Sequence, residues 1–347
     1  MKVSIFVGTG GVGKTSVSAA WGLRTALAGE KCLVLTIDPA RRLRTALNID
    51  STEGPKQVNL REFQAKGELW AEALDVASTL NTAVRLYAKK SQAKQILDHP
   101  IYQILIASLV GLQELLAVER LDQAMKEGFE NVVIDTAPAR HAFEFLDKPQ
   151  FFFDLVSFPV VRLVGRTYKW VEKSGLSGLG RRTLEFYARV EEILGATLVR
   201  QVLDFYSIFR SIAEGYAERA DQTIENLRDP EKASFHIVTT PFKAERDAHY
   251  FWKELNDRRL SVRSLIVNRV WPAAEGELPP DVPQIDREAV EWYAGLSQAH
   301  ERMWRNVARR YAGRIKETVA IPELAGDVEG LPALHQIAQR LNQAPTP

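Results

Sequence analysis

The sequence predicts an α/β fold, in which a mostly parallel, doubly wound sheet carries an inserted helical subdomain. Short apolar runs alternate with helical patterns, and this alternation is typical of a parallel sheet covered by helices on both faces. Segments 76–126 and 151–229 break the alternation because they lack strand signals. The second of them also carries apolar residues at helical spacing. Strands are predicted near 3–7, 32–37, 69–74, 131–134, 235–239, 264–267 and 318–321.

The same patterns divide the chain into two interleaved domains. Residues 1–75, 127–150 and 230–347 are predicted to form the sheet domain. Residues 76–126 and 151–229 are predicted to pack together as the helical subdomain.

The first predicted strand leads directly into a glycine-rich loop. From Gly8 to Thr15 the chain reads G-T-G-G-V-G-K-T, and a helix-like stretch follows over 16–28. In such a loop the glycines let backbone N–H groups point at phosphate, the lysine reaches the β and γ oxygens, and the hydroxyl binds magnesium. The sequence therefore predicts a P-loop NTPase. The phosphate ligands are expected to come from Gly10, Gly11, Val12, Gly13, Lys14, Thr15 and Ser16.

Two carboxylates follow predicted strands of the sheet. Asp38 comes directly after strand 32–37, and Asp135 after strand 131–134. Ligands of doubly wound sheets bind beyond the carboxyl ends of the strands, and carboxylate oxygens suit Mg²⁺. We expect Thr15, Asp38 and Asp135 to be the metal-binding residues. The alternative for each acid is an ordinary turn at a strand end.

Composition and charge exclude several classes of protein. Of 347 residues, 46% are hydrophobic, and 45 basic side chains nearly balance 44 acidic ones, so no overall field favours nucleic acid or an anionic membrane. The N-terminus shows no charged and then apolar leader, so a cytoplasmic location is expected. The most apolar stretch, 101–118, is interrupted by Gln103, Gln113 and Glu114, which favours a buried or groove-forming helix over a membrane span.

Cysteine usage is minimal. Cys32 is the single cysteine, which excludes an internal disulfide and any metal site that needs two cysteines from one chain. Because it lies in an apolar run, it is expected to be a buried structural thiol.

Several motifs, taken in chain order, resemble those of the arsenical-pump and tail-anchored-protein-targeting ATPase family. This family belongs to the deviant phosphate-loop ATPases, which also include the partitioning ATPases, the septum-site ATPases and the nitrogenase iron protein. The motifs that carry the resemblance are Gly10-Gly11-Val12-Gly13-Lys14-Thr15, Asp38-Pro39-Ala40, Gly111-Leu112-Gln113-Glu114, Asp135-Thr136-Ala137-Pro138-Ala139-Arg140-His141, Val267-Asn268 and Ile321-Pro322-Glu323-Leu324.

The resemblance implies roles for individual residues in ATP hydrolysis. Lys14 and Thr15 would hold phosphate and Mg²⁺, and Asp38 would orient or deprotonate the attacking water. Asp135 and the loop 138–141 would sense the γ-phosphate. Asn268 would read the adenine edge, and Pro322 and Leu324 would belong to a late loop that cradles the nucleotide.

The resemblance also implies partners. ATP and ADP would be the ligands, and the chain would form a homodimer or a heterodimer with a homologous ATPase. The helical subdomain would engage a hydrophobic helical protein client. A DNA-partitioning or septum-site role is not favoured, because the sequence shows neither clustered cations nor a basic amphipathic tail.

Position 9 departs from the family pattern. The family usually has a signature lysine there, which reaches the partner's phosphates across a nucleotide-sandwiched dimer, and this chain has Thr9. A neutral hydroxyl gives no compensation for the charge that develops on transferred phosphate. Our hypothesis is that Arg140, where the family usually has glycine, takes part of the lysine's catalytic role; the alternative is a solvated, structural Arg140.

Two functions follow from this departure. One is a working ATPase that cycles a hydrophobic client. The other is a slow or inactive nucleotide-gated assembly switch that works with a lysine-bearing homologous partner subunit. Arsenite binding and a paired-cysteine zinc clasp are not expected, because both need more thiolates than Cys32 supplies.

Overall fold

The computed structural model describes eight ranges of the chain, and all structural statements below concern them. They are residues 1–37, 42–47, 49, 54–108, 113–136, 143, 196–273 and 283–342.

An eight-stranded sheet forms the centre of the fold. Its strands are β1 Lys2–Val7, β2 Lys31–Thr36, β3 Lys56–Gln57, β4 Glu68–Ala73, β5 Asn131–Asp135, β6 Ala233–Thr239, β7 Val262–Val270 and β8 Glu317–Pro322. The spatial order is β3-β4-β2-β5-β1-β6-β7-β8. Every neighbouring pair is parallel except β3 with β4, which is antiparallel. The predicted α/β fold with a mostly parallel sheet is confirmed.

Helices follow most of the strands. They are α1 Lys14–Leu27, α2 Arg42–Leu47, α3 Val76–Tyr87, α4 Lys90–Leu97, α5 Pro100–Ser108, α6 Gln113–Lys126, α7 Ala196–Arg228, α8 Ala244–Asp257, α9 Gln284–Tyr311 and α10 Gly330–Asn342. Short 3-10 turns occur at Arg61–Phe63 and Pro241–Lys243.

All seven predicted strands are present, with ends that differ by at most three residues. Sequence reasoning missed β3, which consists of Lys56 and Gln57 and pairs with Ala71 and Trp70 of β4. Both β3 residues are exposed. A two-residue polar strand has no apolar alternation by which it could be recognised.

The central strands are apolar because both faces of the sheet are covered. Ile5, Phe6 and Val7 of β1 are fully buried, as expected for a parallel sheet with helices on its faces. On one face α1 packs against α10, and their apolar residues share a core with β2. This packing fixes the two elements that flank the glycine-rich loop, namely β1 and α1.

The chain separates into two compact units. The first contains Met1–Leu74, Gln123–Phe143 and Glu225–Pro347, and the second contains Asp75–Asp122 and Glu144–Ile224.

In the second unit most of the described residues are helical. Segment 101–118 is predicted to be a buried or groove-forming helix; its described residues belong to α5 and α6, and residues 109–112 lie outside the described ranges. Phe205 and Phe209 stack with ring centroids 4.9 Å apart, and the buried Tyr102 contacts both rings. Among the described residues, no helix combines the length and the apolar character that crossing a membrane requires.

Candidate nucleotide site

The glycine-rich loop connects β1 to α1, and two of its glycines are required by close contacts. A Cβ on Gly8 would lie 2.2 Å from the carbonyl oxygen of Val238 in β6. Gly13 has φ +88°, and a Cβ there would lie 2.2 Å from the Asn268 side-chain amide nitrogen. Larger residues would push the loop away from its neighbours. The loop therefore holds one conformation at the N-terminus of α1, where backbone N–H groups favour an anion.

Lys14 lies inside this loop and is 8% exposed. Its ammonium donates to the carbonyl oxygens of Gly8 at 2.9 Å and Thr9 at 3.1 Å. Phosphate oxygens are charged and form stronger hydrogen bonds than neutral carbonyls do. Lys14 is thus held where a bound phosphate could replace these carbonyls.

Hydroxyl and carboxylate oxygens meet on the β5 side of the loop. Thr15 Oγ1 donates to Asp135 Oδ2 at 2.7 Å, and Thr36 Oγ1 donates to the same oxygen at 3.1 Å. Asp135 is fully buried at the end of β5, between β1 and β2 in the sheet. Hydroxyl and carboxylate oxygens are suitable ligands for Mg²⁺, which also keeps waters and substrate phosphates in its coordination shell.

A second buried carboxylate lies on the β6 side of the loop. Asp247, in the first turn of α8, is 1% exposed. Its Oδ2 accepts hydrogen bonds from Thr9 Oγ1 at 2.8 Å and Thr239 Oγ1 at 3.0 Å. The guanidinium of Arg246 lies 3.4 Å from Oδ1. Thr9 is therefore hydrogen-bonded to α8.

A second lysine also contacts the loop. Lys243 ends the 3-10 turn that precedes α8, and its ammonium donates to the Gly10 carbonyl oxygen at 3.2 Å.

The residues expected to contact the base lie at β7 and β8. Asn268 is 7% exposed, and its side-chain amide donates to the Val12 carbonyl oxygen at 2.9 Å. Pro322 ends β8 opposite Val270 of β7, and Leu324 packs against the core of the sheet domain. The structure therefore brings Asn268 to the loop, while its adenine role and the cradling roles of Pro322 and Leu324 stay predictions.

Several predicted residues lie outside the described ranges. Asp38, Arg140 and the loop 138–141 are among them, as are Gly111 and Leu112. Ser16 is half-buried in the first turn of α1. Cys32 is fully buried, as expected, and burial raises the pKa of its thiol well above the ordinary value.

Sequence reasoning missed Thr36, Thr239, Lys243 and Asp247. Only carboxylates directly after strands were sought, and Asp247 follows β6 by eight residues. The rule that ligands bind beyond the carboxyl ends of parallel strands would have included the segment after β6, because β6 adjoins β1.

The comparison with protein families identifies the chain. The family model described as anion-transporting ATPase, of the ArsA type, matches residues 1–343. The chain belongs to this family. It is an ATPase of the ArsA type, which agrees with the resemblance predicted from the motifs, and nucleotide use follows from the family.

Individual relatives cover most of this ArsA-type chain. The "ATPase ASNA1 homolog" of Plasmodium falciparum is 24% identical over 98% of this chain and 87% of its own length. A protein of Aquifex aeolicus, named "Putative arsenical pump-driving ATPase 1", is 24% identical over 98% of this chain and 78% of its own length. The Cryptosporidium parvum "ATPase ASNA1 homolog" is 28% identical over 77% of this chain and 64% of its own length.

Proposed function

We propose that this ArsA-type ATPase hydrolyses Mg²⁺-bound ATP at the glycine-rich loop, and that hydrolysis rearranges a helical subdomain that engages a protein client or partner subunit. The contact between Thr15 and Asp135, 2.7 Å long and next to Lys14, carries the proposal. It supports a metal-binding position beside the phosphate-binding lysine. The family membership supports the reaction itself.

The residues of the chain divide the work of hydrolysis. Thr15 and Asp135 would hold Mg²⁺, which when bound neutralises charge on the phosphate oxygens. Lys14 and the N-terminus of α1 would bind the β- and γ-phosphates. In the proposed reaction Asp38 orients the attacking water and takes its proton. The water oxygen bonds to the γ-phosphorus, the bond to the bridging oxygen breaks, and ADP leaves with that electron pair.

The client proposal draws its support from the second unit. Leu86 of α3 is 52% exposed and Ile104 of α5 is 57% exposed, and exposed apolar side chains on helices are suited to binding an apolar helix. We propose that the client is a hydrophobic helical protein, and that a homodimer or a heterodimer with a homologous ATPase forms in the ATP state.

Phosphate release from purified protein tests the enzymatic part. The chain should release phosphate from ATP with Mg²⁺ and not with excess EDTA. Asp38→Asn should lower kcat by at least about 100-fold and leave ATP binding intact, because a general base contributes at least that much. Absence of Mg²⁺-dependent turnover, or full activity of Asp38→Asn, would contradict the proposal.

Light scattering of Asp38→Asn tests the assembly part. This variant should hold the ATP state, so its mass should double when Mg²⁺ and ATP are added. A monomer at saturating ATP, alone and with a homologous subunit present, would count against a nucleotide-dependent dimer.

A further inference from the structure

We propose that Lys243 binds the phosphates of the nucleotide and supplies the positive charge that Thr9 cannot. The inference rests on ATP hydrolysis at the glycine-rich loop and adds a residue to it. It begins with the sheet. Because β6 pairs in parallel with β1, with Ile237 opposite Val7, the segments that follow these strands leave the sheet at the same edge. The turn Pro241–Lys243 is therefore adjacent to the loop.

Lys243 reaches the loop itself. Its ammonium donates to the Gly10 carbonyl oxygen at 3.2 Å. Among the described residues, no atom lies within 4 Å of a Cβ built on Gly10, so with respect to them space is open beside this part of the loop. The side chain of Lys243 is half-buried. Its ammonium thus lies at the rim of the phosphate-binding loop and on the side of open space.

The backbone that carries Lys243 is fixed. Its N–H donates to the Thr240 carbonyl oxygen at 2.9 Å, and Ala244, which begins α8, is fully buried. One helical turn later Asp247 accepts hydrogen bonds from Thr9 and Thr239. The start of α8 is thereby joined to the loop, and the backbone of Lys243 is held next to it.

The residue at position 9 and Lys243 serve complementary purposes. Thr9 gives its hydrogen bond to the carboxylate of Asp247 at 2.8 Å and carries no charge. A lysine at position 9 would bring its ammonium to that carboxylate or to the phosphates. In this chain the Thr9 hydroxyl connects the loop to α8, and the turn before α8 brings Lys243 of the same protomer to the loop.

The chemistry favours a transfer of the Lys243 ammonium from carbonyl to phosphate. The Gly10 carbonyl is a neutral acceptor, whereas a phosphate oxygen is a charged one and makes the stronger hydrogen bond to an ammonium. Charge spreads over the γ-phosphate oxygens as the phosphoryl group is transferred, and a cation placed there accelerates the reaction.

The test compares four variants of the full-length protein. Lys243→Met removes the charge at similar length, Lys243→Arg keeps it, and Lys253→Met removes an exposed lysine of α8 as a matched control. Thr9→Lys is made in the Lys243→Met background. For each protein we would measure kcat, the Kd for ATP and for ADP, and the urea midpoint of unfolding.

Lys243→Met is expected to lower kcat by about 100-fold, the lower end of the range found for removal of a single group that stabilises transition-state charge. Its affinity for ATP should fall more than its affinity for ADP, and its urea midpoint should not change. Lys243→Arg should stay within a few-fold of wild type, and Lys253→Met should equal it. Thr9→Lys should restore part of the lost kcat.

Wild-type kcat and wild-type ATP affinity in Lys243→Met would overturn the inference. An equal loss of kcat in Lys253→Met would overturn it as well, because the loss would then follow from removing any lysine in this region and not from a contact of Lys243 with phosphate. If the wild type itself releases no phosphate, the proposed function fails. The ratio of ATP to ADP affinity then decides on Lys243 alone: a fall in Lys243→Met supports its contact with the γ-phosphate, and an unchanged ratio excludes it.

Discussion

The two sides of the glycine-rich loop use the same hydrogen-bonding chemistry with different results. On the β5 side, Asp135 accepts hydrogen bonds from two threonine hydroxyls, one of them on the loop. On the β6 side, Asp247 does the same with Thr9 and Thr239. Both carboxylates are buried, so each needs donors or a cation to offset its lost hydration.

The groups that surround the two carboxylates differ between the two sides of the loop. Asp247 lies on a helix next to Arg246, and Lys243 precedes it by one turn. Asp135 ends a strand among hydroxyl oxygens, which suit a divalent ion. Asp247 joins the start of α8 to the loop, whereas under the proposed function Asp135 would bind a metal; we infer that the neighbouring element decides between these two uses of a threonine-bound aspartate.

Removal of Lys14 should abolish the reaction that both sides serve. Lys14→Ala is expected to lower kcat by about 100- to 1000-fold, as loss of a preorganised charge in an active site does. Phosphate release measured beside Lys253→Ala, an exposed lysine, checks it. Comparable activity in the two variants would show that the loop does not bind the reacting phosphates.

Asp135→Asn should weaken Mg²⁺ binding and leave the attachment of α8 intact. Loss of one carboxylate ligand is expected to lower kcat by about 10- to 100-fold at moderate Mg²⁺. The Mg²⁺ concentration for half-maximal activity should rise. A Mg²⁺ titration of Asp135→Asn beside Asp247→Asn checks this, because only the first should shift. Equal shifts would mean that the two sides share the metal.

Asp247→Asn should weaken the attachment of α8. Its amide oxygen can still accept from both hydroxyls, but it carries no charge, and the NH2 group would then face the Arg246 guanidinium. Because the hydrogen bonds to a charged acceptor are lost, the unfolding free energy should fall by about 1 to 3 kcal/mol. Urea unfolding measures the loss. The gain in stability on adding Mg²⁺ and ATP should persist in this variant and shrink in Asp135→Asn. If the gain shrank in Asp247→Asn and persisted in Asp135→Asn, Asp247 rather than Asp135 would be the residue that binds the metal.

Low pH should lower the folding stability through His236, a residue of β6. This ring is fully buried between Ser234 and Ser264. Burial, with smaller effects of Arg263 and Arg24, holds its pKa well below the ordinary value. The unfolded chain therefore takes up the proton first as pH falls. The stability from the neutral ring is complete above about pH 6.5 and is lost below it, by at most about 1.4 kcal/mol per pH unit.

The variant His236→Gln isolates this contribution, since glutamine can hydrogen-bond the serines and does not titrate. Urea unfolding from pH 8 to pH 5 should show a constant difference between wild type and variant above pH 7, and a shrinking difference below pH 6.5. Parallel curves would assign the acid sensitivity to other groups.

The fold was predictable where strands are long and buried. The apolar runs that became β1, β2, β5 and β6 differ from predicted ends by two residues at most, because strands covered on both faces must be apolar throughout. The polar β3 had no such pattern.

The site was predictable where chain-local rules apply. The glycine-rich loop is recognisable from the spacing of its glycines and lysine. Asp135 was predicted from its position at the end of a strand, and it lies next to Thr15. Lys243 and Asp247 were not predicted, because their contacts with Gly10 and Thr9 span more than 230 residues of chain, and the rule for strand ends reaches their segment only once β6 is known to adjoin β1. Their positions follow from the packing of α8 beside β6, which no local motif encodes.

The most direct test is a crystal structure of the protein with Mg²⁺, ADP and aluminium fluoride, which mimics the transferred phosphoryl group. We expect the metal on the β5 side, at the Thr15 hydroxyl and close to Asp135. The Lys243 ammonium should have left the Gly10 carbonyl for the fluoride, while Asp247 still accepts from Thr9. Metal bound away from Thr15, together with Lys243 still on Gly10, would contradict the division of the loop into a metal side and a lysine side.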